Sequence, residues 1–407
     1  MRVSHPFRHL RIAVSAALVA ATIVTPTLGS GSAHALDNGL ALTPPMGWSS
    51  WNRFGCDIDQ WKIREIADAM VSSGLKDAGY RYVNVDDCWQ AVQRLPNGDL
   101  TWNPQRFPDG IPGLARYVHA KGLKLGIYGN PGKRSCASWS GSYEGEMGSL
   151  GHEYQDARTF ARWGVDYLKY DDCWSKVDGV SASHAFITMS QALHATGRPI
   201  VYSIHNMPQQ PVPSWIPKVA NLWRTTADIT DNWVSVATIA LLTLPLAQYA
   251  QPGAWNDPDM LEVGNGGLTL PESRSHLTLW AMLAAPLILG NDIRTMSPET
   301  RELLTNRLML SVDQDQLGRA AVPVHMERGW VLLRPLTGNR WAVSLTNVSE
   351  TPLVLSVTPQ ELGLAGHWTY QEAWSGHAGT LTGALTRQVN PHDSALFVLT
   401  SGTSPRG

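Results

Sequence analysis

The sequence carries little net charge and few cysteines, and each shortage excludes a class of function. Its 407 residues include 32 lysines and arginines against 34 aspartates and glutamates, a formal net charge of −2, and no basic block follows the first residues. Without such a block, nucleic acids and anionic membranes are poor candidate partners. The four cysteines show no Cys-x-x-Cys spacing, and His-x-x-x-His spacing occurs only at His5 and His9 in the first residues, so we expect no zinc site.

Long apolar runs are also scarce, and the one near the start is short. A basic start precedes the apolar segment 12–24, and Ala33-His34-Ala35 is the small-x-small pattern that a signal peptidase cuts. We therefore predict that residues 1–35 are a signal peptide and that the mature protein, beginning near Leu36, is secreted and extracellular. No later run is long enough for a membrane helix. An even number of cysteines in an exported chain suggests disulfides, and four cysteines permit three pairings.

Short apolar segments that end in polar residues recur through most of the chain. Between them lie helical patterns: after Asp59, for example, Ile63, Ile66, Ala67 and Met70 fall on one helix face. The apolar segments are "VNVDD", "GLKLGIYGN", "VDYLKYDD", "RPIVYSIHN" and "VANLWRTTAD", with "APLILGND" as a later candidate. This repetition predicts parallel strands with crossover helices, and the count favours a (β/α)8 TIM barrel over residues 36–320 rather than a doubly wound sheet. The active site of such a barrel lies at the carboxyl ends of its strands.

The pattern changes from about Ala321. Runs such as "GWVLLRPL", "RWAVSLTNVS", "PLVLSVTP", "WTYQEAW" and "SALFVLT" are short, β-like and separated by turns rich in glycine, asparagine and serine. The predicted fold class is therefore α/β, with a small antiparallel β-sandwich domain over residues 321–402 following the barrel.

Several carboxylates follow the predicted strands, which is the arrangement that a glycosidase needs. One carboxylate attacks the sugar or guides water while a second protonates the leaving oxygen. Asp171 follows Lys169 at a strand end, and a nearby ammonium favours the ionised carboxylate that a nucleophile requires. Asp228 lies four residues after Arg224 and is a candidate acid/base. An arginine by itself lowers the pKa of a neighbouring carboxyl group. Repulsion from Asp171 or another effect would therefore have to keep Asp228 protonated. The full candidate set is Asp86, Asp87, Asp171, Asp172, Asp228, Asp231, Asp257 and Asp259.

Taken together, the motifs resemble those of glycoside hydrolase family 27, the α-galactosidase and melibiase family. The resemblance covers nearly all of the mature chain. It rests on "LDNGLALTPPMGWSSWNRFGC", "YVNVDDCW", "GIYGNPGKRSC", "VDYLKYDDCW", "WRTTADITDNW", "AWNDPDML" and "APLILGNDIR", in this order. It implies hydrolysis of α-linked galactosides with retention, with Asp171 as nucleophile and Asp228 as acid/base, their carboxyl groups roughly 5–5.5 Å apart.

The resemblance also implies a set of sugar-binding residues and two disulfides. Trp51 would pack on an apolar sugar face, Asp86 and Asp87 would accept from the 6- and 4-hydroxyls, and Arg224 with Asp259 would hold the 2-hydroxyl side. The implied binding set is Trp51, Asp86, Asp87, Tyr128, Lys169, Arg224, Asp259 and Met260. His205, at a position where this chain departs from the family, is a further substrate-binding candidate. The implied disulfides are Cys56–Cys88 and Cys136–Cys173. No metal or other cofactor is implied.

Two segments depart from the family pattern. Where the family has Cys-Glu-Trp or a similar run, this chain has Ile204, His205 and Asn206, so imidazole or amide replaces the carboxylate that helps to recognise the 2-hydroxyl. In "YGNPG", Asn130 stands near a position where many members carry aspartate. Both departures concern the exact sugar and leave the two catalytic positions unchanged.

The sequence leaves three alternatives open. The same mechanism could act on an α-N-acetylgalactosaminide, a β-L-arabinopyranoside or an α-glucan with isomaltosyl units. An inactive carbohydrate-binding protein would bind sugar without turnover. A metal-dependent hydrolase would lose activity in chelator, but no Asp-x-Asp-x-Asp-Gly loop is present. In every case the expected partner is a carbohydrate, and the oligomeric state is left open.

Overall fold

The fold is built on eight parallel strands that form one sheet. A computed structural model describes residues 36–173, 175–205 and 211–402, so the predicted signal peptide and Asn206 lie outside the described residues. The strands are β1 (Met46–Ser49), β2 (Tyr82–Val85), β3 (Lys124–Gly129), β4 (Tyr167–Tyr170), β5 (Val201–Ile204), β6 (Leu222–Arg224), β7 (Trp255–Asp257) and β8 (Leu287–Leu289). Strands β1 to β7 pair in chain order and β8 pairs with β1. Leu261, just after β7, forms a parallel bridge with Leu289 of β8, which closes the (β/α)8 barrel that the sequence predicts.

Helices follow the barrel strands, and the longer ones pack apolar residues against the barrel core. They are α1 (Trp51–Phe54), α2 (Gln60–Ser72), α3 (Leu75–Ala78), α4 (Gly110–Ala120), α5 (Cys136–Trp139), α6 (Glu153–Trp163), α7 (Ala182–Ala195), α8 (Ile216–Val219), α9 (Trp233–Thr243), α10 (Leu270–Leu283), α11 (Pro298–Leu304) and α12 (Arg307–Asp313). Short 3-10 helices span Leu244–Tyr249 and Ile293–Thr295.

Helix α2 shows how the local sequence sets these elements. The Asp59 side chain accepts from the backbone amides of Trp61 and Lys62, which satisfies free amides at the helix start. The four apolar residues that recur at helical spacing, Ile63, Ile66, Ala67 and Met70, are all buried against the barrel core, so the predicted apolar face is confirmed.

A β-sandwich follows the barrel. Its strands are β9 (Val322–His325), β10 (Trp330–Leu336), β11 (Arg340–Thr346), β12 (Leu353–Val357), β13 (Trp368–Glu372), β14 (Ala378–Thr380), β15 (Leu385–Val389) and β16 (Ser394–Ser401). Six of them form an antiparallel sheet in the order β14-β13-β16-β11-β10-β9, and β12 and β15 form a two-stranded sheet. A separate apolar core that includes Val343, Leu355, Leu385 and Phe397 lies between the two sheets. The sequence prediction of an antiparallel domain after the barrel is confirmed.

Helix α10 carries polar contacts from the barrel to the β-sandwich. Arg274 donates to both carboxylate oxygens of Asp393, at 3.0 and 2.6 Å, and Trp374 donates its indole N–H to Thr278 at 3.1 Å. The buried guanidinium of Arg334 on β10 donates to the backbone carbonyl oxygens of Ala281 and Asp313. No helix among the described residues is both long enough and apolar enough to cross a membrane.

Candidate active site

A cavity of about 440 Å³ opens at the carboxyl ends of the barrel strands. The eleven catalytic and sugar-binding candidates from the sequence all line it, although they come from seven different strand ends. They are Trp51, Asp86, Asp87, Tyr128, Lys169, Asp171, His205, Arg224, Asp228, Asp259 and Met260. Of the remaining acidic candidates, Asp231 lines the cavity, whereas Asp172 and Asp257 are not among its lining residues.

Strand β4 delivers Lys169 and Asp171 to the cavity. Its residues are mostly buried because helices cover one side of the sheet and the barrel interior the other. Asp171 follows the strand directly, and its amide donates to the carbonyl of Gly129 on β3 at 3.0 Å. The strand pattern thus sets both the apolar run and the point at which it ends in a carboxylate.

Asp171 lies next to His205, which the sequence places at the 2-hydroxyl of the sugar. The Nδ1 atom of His205 is 2.5 Å from Oδ1 of Asp171, a contact that the sequence did not predict. Burial by itself raises the pKa of Asp171, but the charge and hydrogen bond of His205, and then the charge of Lys169, outweigh it and lower that pKa below its ordinary value. Asp171 is therefore ionised, as a nucleophile must be.

Lys169 is held by the carboxylate of Asp86. Its ammonium donates to Oδ2 of Asp86 at 2.9 Å, and the hydroxyl of Ser49 donates to the same oxygen at 3.1 Å. Burial lowers the pKa of Lys169, but the charges of Asp86 and Asp171 outweigh this and raise it, so the side chain stays charged. A fixed cation therefore lies between two of the site's acids.

Asp87 is the neighbour of Asp86 but has a different environment. Its Oδ1 accepts from the amide of Cys88 at 2.6 Å and its Oδ2 from the amide of Ala137 at 2.8 Å. Burial is the largest effect and raises the pKa of Asp87 to about 6, against the lowering effect of these amides. The tandem pair thus presents one carboxylate bound to an ammonium and one bound to backbone amides.

Arg224 at the end of β6 joins two further carboxylates. Its Nη2 atom is 3.0 Å from Oδ1 of Asp228 and 2.9 Å from Oδ2 of Asp259. Asp228 is the more accessible, with 71% of its side chain exposed, and Asp259 is buried. Burial raises the pKa of Asp228, but the charges of Arg224, Lys169 and His205 outweigh it and lower that pKa. The surroundings therefore favour the ionised form of Asp228, whereas the sequence argument required an effect that keeps it protonated.

Both cysteine pairs named from the resemblance are disulfides in the structure. Cys56 is joined to Cys88, beside Asp87, and Cys136 is joined to Cys173, two residues after Asp171. The sulfurs of Cys136 and Cys173 lie within 4.8 Å of a carboxylate oxygen of Asp171. Sulfur bonded in a disulfide is not the thiolate that binds metal ions, so this group is not a convincing metal site.

Besides Cys136, Cys173 and Ile229, six polar residues of the cavity lining were not singled out as sugar contacts from the sequence. They are Asn52, Arg53, Thr230, Asp231, Glu262 and Asn265. Glu262 is buried and its two oxygens accept from the side-chain amides of Asn52 and Asn265, each at 2.5 Å. Asn265 lies in the glycine-rich run at 264–267, which the sequence pattern identifies only as a turn. The run therefore gave no reason to assign Asn265 to the site.

Asn130, the smaller departure from the family pattern, supports the loop after Asp171. Its Oδ1 accepts from the amide of Cys173 at 3.0 Å, and its Nδ2 donates to the carbonyl of Arg134 at 2.6 Å. Because an amide both donates and accepts, Asn130 satisfies two backbone groups that a carboxylate could not satisfy together.

The chain is similar to known proteins over most of its length. The family model described as "Alpha galactosidase A" matches residues 43–315, and that described as "Alpha galactosidase C-terminal beta sandwich domain" matches residues 328–399. The chain is 45% identical over 368 residues to an alpha-galactosidase of Cyamopsis tetragonoloba, which covers 89% of this chain and 88% of that protein.

Solved structures agree with this comparison. The crystal structure of alpha-galactosidase I from Mortierella vinacea superposes with a TM-score of 0.84 at 34% identity, covering 90% of this chain and 100% of that one. The structure of an alpha-galactosidase from Saccharomyces cerevisiae with raffinose superposes with a TM-score of 0.81 at 28% identity, covering 90% and 99%.

Proposed function

The chain belongs to glycoside hydrolase family 27, the α-galactosidase and melibiase family, and on that premise we propose that it is a secreted α-galactosidase. It removes terminal α-D-galactosyl residues from oligo- or polysaccharides by double displacement, with net retention at the anomeric carbon. The observation that carries the proposal is that Asp171, ionised beside Lys169, and Asp228, held by Arg224, line one cavity.

In the first step Asp171 attacks the anomeric carbon. The bond from that carbon to the glycosidic oxygen breaks, and the oxygen takes a proton from Asp228, so that the aglycone leaves as a neutral alcohol. The galactosyl group is then an ester of Asp171. Because only the ionised form of Asp171 can attack, the pKa lowering by His205 and Lys169 favours this step.

In the second step Asp228, now ionised, removes a proton from water. The water oxygen attacks the anomeric carbon, the ester bond to Asp171 breaks, and Asp171 leaves as a carboxylate. Asp228 is protonated again at the end of the cycle. Arg224 suits this half of the reaction, since its charge stabilises the ionised base.

The polar groups around the cavity suit a galactosyl ring. Asp86 and Asp87 are the proposed acceptors for the 6- and 4-hydroxyls, with Lys169 donating to the same edge of the ring. Arg224 and Asp259 are the proposed partners on the 2-hydroxyl side. An axial 4-hydroxyl would find the free lone pairs of Asp87, whose backbone partners keep the carboxylate in place.

Secretion is supported by the basic, apolar and small-residue pattern of residues 1–35 and by the two disulfides. Disulfides persist mainly in oxidising compartments. Expression with the native leader tests this part: mature protein beginning near Leu36 is expected outside the cell.

The experiment that tests the proposal follows the products of an aryl α-galactoside by proton NMR. Retention predicts that α-galactose appears first and converts to the equilibrium mixture by mutarotation. If β-galactose appeared first, the double displacement would be wrong. Aryl α-N-acetylgalactosaminide, β-L-arabinopyranoside and α-glucoside, assayed side by side, distinguish the other sugars, and a chelator control is expected to leave the rate unchanged.

A further inference from the structure

The register between β4 and β5 places His205 beside Asp171. Tyr170 is the parallel partner of Ile204, and the amide of His205 donates to the carbonyl of Tyr170 at 3.0 Å. Asp171 directly follows β4 and His205 directly follows β5. Their side chains therefore lie in the same part of the cavity, and both line it. The strand register brings the two residues together, and Nδ1 of His205 lies 2.5 Å from Oδ1 of Asp171.

The two oxygens of Asp171 are not equivalent. Oδ1 is close to Nδ1 of His205 and also accepts from the amide of Asp172 at 2.9 Å. Oδ2 accepts no hydrogen bond from any residue that the structure describes. A carboxylate held through one oxygen by two donors cannot rotate freely, so the other oxygen faces the ligand in one orientation.

We propose that His205 is a positioning residue for the nucleophile, which holds Oδ1 of Asp171 so that Oδ2 attacks the anomeric carbon. This inference rests on the proposed function of Asp171. An ionised carboxylate can only accept, so the hydrogen of the contact is on Nδ1 of His205. The Nε2 edge of the ring then remains for the ligand, and in a neutral imidazole it is an acceptor for a sugar hydroxyl.

The charged groups around the ring are consistent with this arrangement. The charge of an imidazolium at His205 lowers the pKa of Asp171 and Asp228, so both carboxylates lie within its electrostatic reach. Lys169 is engaged with Asp86, and Arg224 with Asp228 and Asp259, so neither cation makes the contact to Oδ1 that His205 makes. The imidazole is therefore the side chain that orients the nucleophile.

Positioning and sugar binding predict different kinetics. A nucleophile displaced by about 1 Å costs up to about a hundredfold in rate, so loss of positioning lowers kcat and leaves KM nearly unchanged. Because the defect lies at the nucleophile, it is the same for a dinitrophenyl and a nitrophenyl α-galactoside, which differ in their need for the acid. If His205 only contacted the 2-hydroxyl, its replacement would raise KM, or the effect of its replacement would disappear on a 2-deoxy substrate.

The test compares His205→Asn, His205→Gln and His205→Ala. The amide nitrogen of asparagine can take the place of Nδ1, whereas that of glutamine takes the place of Nε2. We expect His205→Ala and His205→Gln to lower kcat by about 10- to 100-fold and His205→Asn to recover activity to within about fivefold of wild type. Nitrogen-15 NMR of the histidine is expected to show the proton on Nδ1 in the free protein.

Three results would overturn the inference. They are equal activity of all variants and wild type, recovery by glutamine but not by asparagine, and a change confined to KM. Thermal unfolding of each variant separates a folding defect from a kinetic one. Asp171→Asn keeps the two proposals apart: if that variant were fully active, the proposed function would fail regardless of the His205 series.

Discussion

Arg224 lies 3.0 Å from Asp228, so the proposed proton donor has a permanent cation as its neighbour. The same arginine contacts Asp259 at 2.9 Å, and both contacts use Nη2. A cation stabilises the ionised carboxylate that the second step requires, but it opposes the protonated form that the first step requires. We therefore expect the contact between Arg224 and Asp228 to affect the pH dependence of the enzyme.

The first prediction concerns the alkaline limb of kcat/KM. Since the pKa of Asp228 is lowered from its ordinary value of 3.8, the protonated donor is lost as pH rises through the acid range, and kcat/KM for a nitrophenyl α-galactoside is expected to fall steadily with it. Arg224→Gln removes the cation, which raises that pKa and moves the alkaline limb to higher pH, although overall activity falls. Arg64→Gln, which removes a surface ion pair with Asp109, is the matched control. A limb that stays in place in Arg224→Gln would contradict this assignment.

The second prediction concerns recognition of the 4-hydroxyl by Asp87. Removing the hydroxyl from the substrate leaves the buried carboxylate unpaired, and wild type is expected to lose about 10²- to 10⁴-fold in kcat/KM on a 4-deoxy galactoside. In Asp87→Ala the same change in the substrate should cost less than about tenfold, because the partner is already gone. A 3-deoxy substrate is the control. Equal losses in wild type and variant would show that Asp87 does not contact this hydroxyl.

The third prediction separates the two disulfides by their kinetic effects. They enclose similar loops, with sequence separations of 32 for Cys56–Cys88 and 37 for Cys136–Cys173, so each double alanine variant should lose about 2–4 kcal/mol of unfolding free energy. Cys173 follows the nucleophile, so its variant should mainly lower kcat, whereas loss of Cys88, beside Asp87, should mainly raise KM.

Urea unfolding and steady-state kinetics, measured on both disulfide variants under the same conditions, check this. Identical kinetic changes in the two variants would mean that the disulfides only stabilise the fold. Wild-type kinetics in the Cys136→Ala/Cys173→Ala variant would show that this bond does not position the loop after Asp171.

The fourth prediction concerns the buried carboxyl group of Glu262. Burial, together with the nearby charge of Asp231, raises its pKa to about 7 from an ordinary value of 4.5. The folded protein then binds a proton that the unfolded chain releases, so this group's contribution to stability is complete below about pH 4.5 and is lost as pH rises to about 7.

Glu262→Gln removes this titration. Relative to wild type, the variant is expected to gain about 1–3 kcal/mol of unfolding free energy between pH 4.5 and pH 7.5. The exposed Glu327→Gln is the control and should show no such trend. Denaturant unfolding at several pH values measures the difference, and a gap between variant and wild type that stays constant with pH would contradict the prediction.

The sequence predicts the barrel strands that lie in apolar runs and misses the two that do not. Strands β2 to β6 and β8 lie within apolar segments that could be identified directly. Strand β1, "MGWS", and strand β7, "WND", have no apolar run because glycine, asparagine and aspartate interrupt them. Pairing with neighbouring strands, β2 and β8 for β1 and β6 for β7, makes these residues strands, which local sequence cannot show. In the β-sandwich, β9, β14 and β15 were missed: a proline interrupts β9, which lies at the edge of its sheet, and the residues of β14 and β15 are mostly polar or small.

The site shows the same division. The residue types at strand ends indicate the acids, and the resemblance to the family indicates their roles. The contact of His205 with Asp171 depends on the register that makes Tyr170 the partner of Ile204. The sequence placed His205 at the sugar. It could not indicate the contact with the nucleophile, because strand register depends on the whole barrel. The groups that surround Asp228 likewise come from several strand ends, and only the folded structure shows which of them lie near it.

The most direct test of the account is to capture the galactosyl ester of Asp171. A trinitrophenyl α-galactoside with two fluorines on the carbon next to the anomeric centre slows both steps, but its leaving group needs no acid, so the ester should accumulate. The account predicts that intact mass rises by one difluorogalactosyl group, that the label maps to the peptide containing Asp171, and that Asp171→Asn takes up none. A label on Asp228, or turnover with no ester and with inverted product, would contradict it.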